Sequence, residues 1–520
     1  MGNALKFYNS YLELGEEFFE RVLPQKVPLP QLLLWNKALA DDLLITKGLQ
    51  EGHELLAQYS TGNILPEGAN SIALAYSGHQ FGHFNPNLGD GRAHLLGEMI
   101  DTSGVRRDVQ LKGSGQTAFS RRGDGKCALA PAVREYIMSE ALYALNVPTS
   151  RCLAVASTGE LINRGLAKPG AVVTRVAASH LRVGSFQYFA ARSNTKALHK
   201  LVNYAIDRHF PEINNRLLSE KNSHQHDEKQ RILMFLESAL DKQITLIIEW
   251  LRIGFIHGVM NTDNTAICGE TIDFGPCAMM GTYNNEAVFS SIDEYGRYAF
   301  GNQGKIAHWN MARLADCLIP LLNVILEEDD EKSNNEEDAL AQVERIIHQY
   351  TPKFDEAYYA MYASKIGLNK VNSDIKELIT ELLSIMQSHA LDYTQTFYQL
   401  TKSLTDTETE LNEAVGEWHS AWRKQLQYCG VSLIEAEALM RLKNPVVIPR
   451  NHHVESILSR CEQAILDNKS ENSENISIIS SIVDEFLQVL RSPYQEISAT
   501  KNYQDLPEDD DQYYQTFCGT

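Results

Sequence analysis

The sequence predicts an α+β fold built in two parts, and two kinds of patterning predict it. Residues 72–182 are rich in glycine and β-forming side chains around a single helical segment, whereas most of 195–253 and 339–490 repeats apolar residues three and four apart. At 520 residues, with 43% hydrophobic and 22% charged, the chain has ordinary globular usage and can bury a large core. Its 47 basic and 67 acidic residues give a net charge of −20, which repels a polyanionic backbone, so no nucleic-acid partner is expected and any phosphate must be bound locally.

The elements follow in order. "YNSYLELGEEFFERVL" (8–23) places apolar residues at helical spacing and predicts a helix, and "QKVPLPQLLLW" predicts an extended run punctuated by proline. "SIALAYSGHQFGHF", "RAHLLGEMI", "RRDVQLKGSG" and "GAVVTRVA" read as strands between glycine turns. "LAPAVREYIMSEALYALNV" is the helix among them, with Pro131 in its first turn. "QRILMFLESALDKQITLIIEWLRIGF" is the longest amphipathic stretch, and "NTAICG" and "ETIDFG" read as two strands joined by a Gly-Glu turn. The polar runs at 326–338 and 467–475 have nothing apolar to bury and are expected on the surface. A β-rich portion with one helix, followed by a helical portion, is the layout of a two-lobed protein kinase. The expected divisions are an N-terminal extension (1–65), a β-rich N-lobe with its helix (66–190), a helical C-lobe (191–400), and a C-terminal helical extension and tail (401–520).

No window is apolar enough to span a membrane, since the most apolar, "ITLIIEWLRIGFIHGV", contains Glu249 and Arg252. The N-terminus lacks the basic and apolar regions of a secretory signal, so a cytoplasmic protein is expected. The eight cysteines have no CxxC spacing and read as reduced thiols. No heptad or exposed apolar strip stands out, and a monomer is expected.

The chemistry-bearing residues begin with Lys112. In "DVQLKGSG" alternation sets it on the opposite strand face from Val109 and Leu111, where an ammonium can reach a cleft. A lone strand lysine is usually a solvated surface residue, but Glu135 lies 23 positions on, inside the helix, at the place of the carboxylate that pairs with a kinase's phosphate-binding lysine. "GSGQTAFSRRGDG" (113–125) and "NLGDGRAH" (87–94) are glycine-rich and carry Arg92, Arg121 and Arg122, which suits an anion cradle although no GK[ST] ends either. Arg175 and Arg182 follow, and guanidinium groups match phosphate oxygens.

In "HGVMNTDNTAICGETIDFG" (257–275), Asn264 and Asp273 are hard oxygen donors of the kind that hold Mg²⁺ or Mn²⁺ against nucleotide phosphates. A kinase catalytic loop has its base Asp five residues before that Asn, and here position 259 is Val. Either the protein is inert or another group works; Asp263 is the best-placed carboxylate, with a turn-capping role as its alternative.

"YSGHQFG", "LGDGRAHLLGE", "QLKGSGQTAFSRRGDG", "LAPAVREYIMSEAL", "HGVMNTDN", "TIDFGPC" and "NPVVIPRNHHVE", in this order, resemble the selenoprotein O family of kinase-fold protein adenylyltransferases. The resemblance implies that ATP binds inverted relative to a protein kinase and that AMP passes to Ser, Thr or Tyr hydroxyls of protein substrates with release of pyrophosphate. It implies a nucleotide pocket of Gly89, Gly91, Arg92, Lys112, Asp124, Gly125, Arg175, Arg182 and Asp273. It further implies Asp263 as proton acceptor, Asn264 and Asp273 as ligands of Mg²⁺ or Mn²⁺, and Glu135 as the partner of Lys112. It also suggests a redox disulfide between Cys277 and Cys518, although the chain ends Cys-Gly-Thr without selenocysteine. UMP transfer from UTP with Mn²⁺, γ-phosphoryl transfer, and a non-catalytic nucleotide-binding scaffold are the alternatives.

Overall fold

The β-forming segments of the first 180 residues pair into one antiparallel sheet in the computed structural model. Its strands in chain order are β1 (Phe19–Arg21), β2 (Gln31–Trp35), β3 (Ile72–Leu74), β6 (Ala93–Ile100), β7 (Arg106–Lys112), β8 (Cys127–Ala128), β9 (Arg151–Asn163) and β10 (Ala167–Ala177). Strands β4 (Gly78–Gln80) and β5 (His83–Asn85) form a separate hairpin between β3 and β6. The sheet order is β1-β3-β6-β7-β10-β9-β2, with β8 also paired to β10. Lys112 stands opposite Ala93 on one side and Val173 on the other, and Arg175 stands opposite Gln110. Side chains alternate along each strand, so Lys112, Gln110 and Arg175 share one face.

Three short helices, α1 (Lys37–Asp42), α2 (Lys47–Gln50) and α3 (His53–Thr61), close the other face, packing Leu39, Leu43, Leu49 and Leu56 against Val109, Leu111 and Val172. The helix α4 (Leu129–Ala144) lies on the Lys112 face against β9 and β10. Its Pro131 falls in the first turn, where no intrahelical N–H bond is lost. It is buried nearly all round, charged Arg134, Glu135 and Glu140 included, and Tyr136, Ile137 and Leu142 are fully buried. Burial of each such side chain contributes about 1.5–3 kcal/mol.

Beyond the sheet come α5 (Val183–Ala190), α6 (Thr195–His209), α7 (Pro211–Glu220), α8 (His224–Ile253), the two-residue strands β11 (Phe255–Ile256) and β12 (Ala278–Met279), and α9 (Gln303–Glu328). Among the described residues eight more helices follow, from α10 (Ala339–His348) to α17 (Asn472–Leu490), α16 being Asn451–Asp467. Asn194, Asp338, Asn372 and Asp392 cap four of these helices by accepting a backbone N–H, each worth about 1 kcal/mol. The structure describes residues 5–220, 224–328, 338–406, 408–467, 472–509, 511 and 513–517. Residues 329–337 and 468–471, central to the two polar runs expected on the surface, lie outside them, as does Cys518. Among the described residues no helix is long and apolar enough to cross a membrane.

Three local expectations change. Residues 8–23 are not one helix: two 3-10 turns, Ser10–Leu14 and Glu16–Phe18, are broken at Gly15 (φ 120°) and run into β1, and the apolar spacing instead buries Tyr11, Leu14, Phe18 and Phe19 at the sheet edge. "NTAICG" and "ETIDFG" do not pair with each other; Ala266 bridges to Arg182 and Thr271 to Thr149, so the segment is stitched to the sheet side instead. The thirteen-residue strand β9 runs through a stretch in which no strand was expected, because small residues and Gly159 blur its alternation.

Candidate active site

The strand, the helix and the segment before Gly275 meet in a buried charge cluster. Lys112 Nζ lies 2.7 Å from Glu135 Oε2 and 2.5 Å from Asp273 Oδ1. Arg175 Nε donates to Glu135 Oε1 at 2.6 Å, and its Nη2 is 3.5 Å from Asp273 Oδ1. Burial alone would raise the Glu135 carboxyl, but Arg175 and then Lys112 outweigh it and hold the group at about 2. Asp273 is likewise kept well below the usual carboxylate range, its burial outweighed by Lys112 and Arg175, while 36% of its side chain still faces the open cavity. It adopts a left-handed backbone (φ 69°), which a short polar side chain tolerates best.

The loop after β11 is held from several sides. His257 Nε2–H donates to the Ile272 carbonyl at 2.8 Å, its ring stacks on Trp250, and burial lowers its pKa so that it stays neutral. Gln303 accepts from His257 N–H at 3.1 Å, and Asn264 Nδ2 donates to the Val259 carbonyl at 3.1 Å. Asp263 is 8% exposed: its carbonyl accepts from Arg182 Nη1 at 2.9 Å, its Oδ2 from Gln80 Nε2 at 3.2 Å, and its Oδ1, buried against Gly78, has no hydrogen-bond partner among the described residues. Burial raises its carboxyl to about 6 against the opposing charge of Arg182.

These groups open onto a cavity of 420 Å³. Of the predicted residues, Gly89, Gly91, Arg92, Lys112, Asp124, Gly125, Glu135, Asp263, Asn264 and Asp273 line it. Arg175 and Arg182 stand one layer behind: both are nearly fully buried and bear on the cavity through Glu135, Asp273 and the Asp263 backbone, Arg182 lying over the Tyr76 ring at 4.3 Å. Gly125 (φ 71°) has its backbone against Gly115, where a Cβ would come within 2.2 Å, so the 113–125 loop folds back on itself only with glycine there. Arg164 grips Asp124 with two donors at 2.8 and 2.9 Å, and that hydrogen bonding lowers the Asp124 pKa.

Sequence reasoning passed over Gln80, Tyr76, Phe119, Lys126 and Arg164, which also line the cavity. Lys126 adjoins the glycine-rich loop and was open to notice; Gln80 and Arg164 come from hairpins whose approach no local pattern announces. A larger cavity of 710 Å³ lies elsewhere, lined by Asp42, Asp101, Arg107, Arg151 and Glu270. It contains none of the predicted residues, and its arginines are already paired, Arg107 with Asp101 at 2.9 Å and Arg151 with Glu140 at 2.7 Å.

Asn264 and Asp273 bring an amide and a carboxylate, hard oxygen donors, to one cavity, and such donors fit a divalent cation such as Mg²⁺ or Mn²⁺. Among the described residues no group of three His, Cys, Asp or Glu is placed to hold a metal ion. Cys277 is buried at the end of this wall, its thiol 3.2 Å from the Phe274 carbonyl and pushed up to about 12 by burial.

The family model described as "Protein adenylyltransferase SelO" matches residues 3–485. A protein nucleotidyltransferase YdiU of Teredinibacter turnerae is 48% identical over 519 residues, covering 99% of this chain and 100% of that protein. Proteins of the same name from Pseudoalteromonas translucida (46% identical, 98% of this chain, 99% of that protein) and Bacillus cytotoxicus (45%, 99% and 97%) match as fully. Likeness of this extent removes the inert-scaffold reading that Val259 left open: the chain belongs to the selenoprotein O (SelO) family and is a nucleotidyltransferase.

Proposed function

We propose that the chain is a protein adenylyltransferase with a two-lobed kinase-like arrangement, which binds ATP with its triphosphate tail inward and transfers AMP to Ser, Thr or Tyr hydroxyls of proteins. The observation that carries this is the position of Asp263. Val259 occupies the place of a kinase's base, while Asp263 lines the cavity beside Asn264 and Asp273, its Oδ2 held by Gln80 and its buried Oδ1 lying against Gly78. A base shifted along the loop suits a reacting phosphorus that has shifted with it.

In this reading Lys112, Arg92, Lys126 and Arg164 receive the phosphate tail; all four line one cavity of a chain with net charge −20, which supports it. Asp263 takes the proton of the acceptor hydroxyl. The hydroxyl oxygen bonds to the α-phosphorus as the bond from that phosphorus to the bridging oxygen breaks, and pyrophosphate leaves. Lys112, fixed by Glu135, stabilises charge growing on the phosphate oxygens without reorganising. Asn264 and Asp273 would hold the divalent cation, whose chemistry there is neutralisation of phosphate charge.

The test is incubation with α-³²P-ATP, γ-³²P-ATP or α-³²P-UTP, Mg²⁺ or Mn²⁺, and lysate proteins. Label retained on protein from α-³²P-ATP alone is expected. Label from γ-³²P-ATP overturns inverted binding, and preferential label from UTP overturns adenylyl transfer in favour of uridylyl transfer.

A further inference from the structure

The hairpin of β4 and β5 rests on the loop that carries Asp263, and successive residues grip it. His79 N–H donates to Thr262 Oγ1 at 2.6 Å, and that hydroxyl donates to Gln187 Oε1 at 2.6 Å. Phe81 N–H donates to Asn261 Oδ1 at 3.1 Å, which also accepts from Tyr298 OH at 2.6 Å. The backbone on both sides of Gln80 thus fixes the loop on the residues just before Asp263. Gly78 completes the approach, since a Cβ there would stand 2.8 Å from Asp263 Oδ1. What these contacts leave free is rotation of the Asp263 carboxylate about its own side-chain bonds, and the Gln80 amide meets that carboxylate at 3.2 Å.

We propose that Gln80 is the positioning residue for Asp263: its amide N–H holds Oδ2 while Oδ1 lies against Gly78, which fixes the rotation of the carboxylate beside the cavity that both residues line. The inference rests on the reading of Asp263 as proton acceptor. An ionised carboxylate only accepts, so Nε2 is the end of the amide that faces it. The contact costs no second charge, unlike a lysine or arginine there, which would hold the carboxylate more tightly but stabilise its ionised form and so weaken it as a base. Its place on a hairpin rather than on the loop lets geometry be set by a rigid neighbour.

Gln80→Met keeps the length and packing and removes the donor; Gln80→Glu keeps the length and replaces it with an acceptor. Turnover of α-³²P-ATP onto lysate proteins and ATP affinity by calorimetry are measured for both, with thermal melts. Expected is a fall in kcat of about 10- to 100-fold for both variants, with ATP affinity within about twofold of the parent and melting unchanged. Gln80→Met at parental kcat while Asp263→Ala is inactive overturns the role of Gln80 alone. A loss of ATP affinity as large as the loss of rate also overturns it, because a collapsed loop explains that. Asp263→Ala at parental rate overturns the reading of the base instead.

Discussion

Glu135 and Arg175 meet at 2.6 Å inside the protein, on the side of the carboxylate opposite Lys112. The helix carboxylate therefore keeps a cation on each oxygen, and the ion pair at the cavity is anchored from behind.

This arrangement makes the two ends of the pair unequal. Glu135→Ala leaves the buried Arg175 with only a 3.5 Å contact to Asp273, and the uncompensated charge is expected to cost about 3–5 kcal/mol. Lys112→Met leaves Glu135 bonded to Arg175 and is expected to abolish transfer while costing less than half as much stability. Urea unfolding of the two variants decides; equal destabilisation would show that Arg175 anchors nothing.

The loop carboxylates are expected to separate by metal dependence. Asn264→Ala and Asp273→Asn should raise the Mg²⁺ or Mn²⁺ concentration for half-maximal transfer by about 10- to 100-fold. Asp263→Asn should lower turnover by about 10²- to 10⁴-fold with that concentration unchanged. Metal titrations of the three variants check this, and a shifted requirement in Asp263→Asn would make it a ligand instead.

Thiol reactivity should follow burial. Cys429 is exposed, whereas Cys277 is 0% exposed and held protonated, so iodoacetamide is expected to modify Cys429 first in the native protein. Thr516, two residues before Cys518, pairs with Ser290 and donates its hydroxyl to the Pro276 carbonyl at 2.7 Å, which supports the proposed Cys277–Cys518 pair. Non-reducing peptide mapping of oxidised protein should find that bridge; its absence would remove the redox role.

Stability should fall with acid in two windows. His94 is fully buried, and burial lowers its pKa from 6.5 to about 4, so an unfolded chain binds that proton first and stability is lost as pH falls from 6.5 towards 4. Asp108 is held at about 2 because Arg208 and His180 outweigh its burial, so its contribution is complete above 3.8 and is lost as pH falls towards 2. The shifts correspond to about 3 and 2 kcal/mol. Urea midpoints across pH should show both, and His94→Asn should reduce the first, to which His209, lowered by burial to about 3, also contributes.

What the residues disclosed in advance follows from locality. Lys112 and Glu135 were legible because strand alternation and helix spacing aim each inward without help from distant chain. Asn264 and Asp273 were legible because both sit on one short segment. Gln80 was not, because its importance depends on a contact 183 residues away that the hairpin alone does not encode. The helix expected over 8–23 failed for a related reason: the same spacing of Tyr11, Leu14, Phe18 and Phe19 serves a sheet edge once Gly15 turns the chain, and burial rather than propensity decided.

The sheet order carries a consequence for synthesis. Among the described residues β2 finds its strand partner in β9, so Leu32, Leu33 and Leu34 emerge from the ribosome more than a hundred residues before Val155 and Ala156 exist to pair with them. At about 5–20 residues per second that is a wait of several seconds with an apolar edge unsheltered. The earliest strands of this enzyme are thus the natural clients of a chaperone, and slowing translation after residue 35 should aggregate the nascent chain more than slowing it after residue 163.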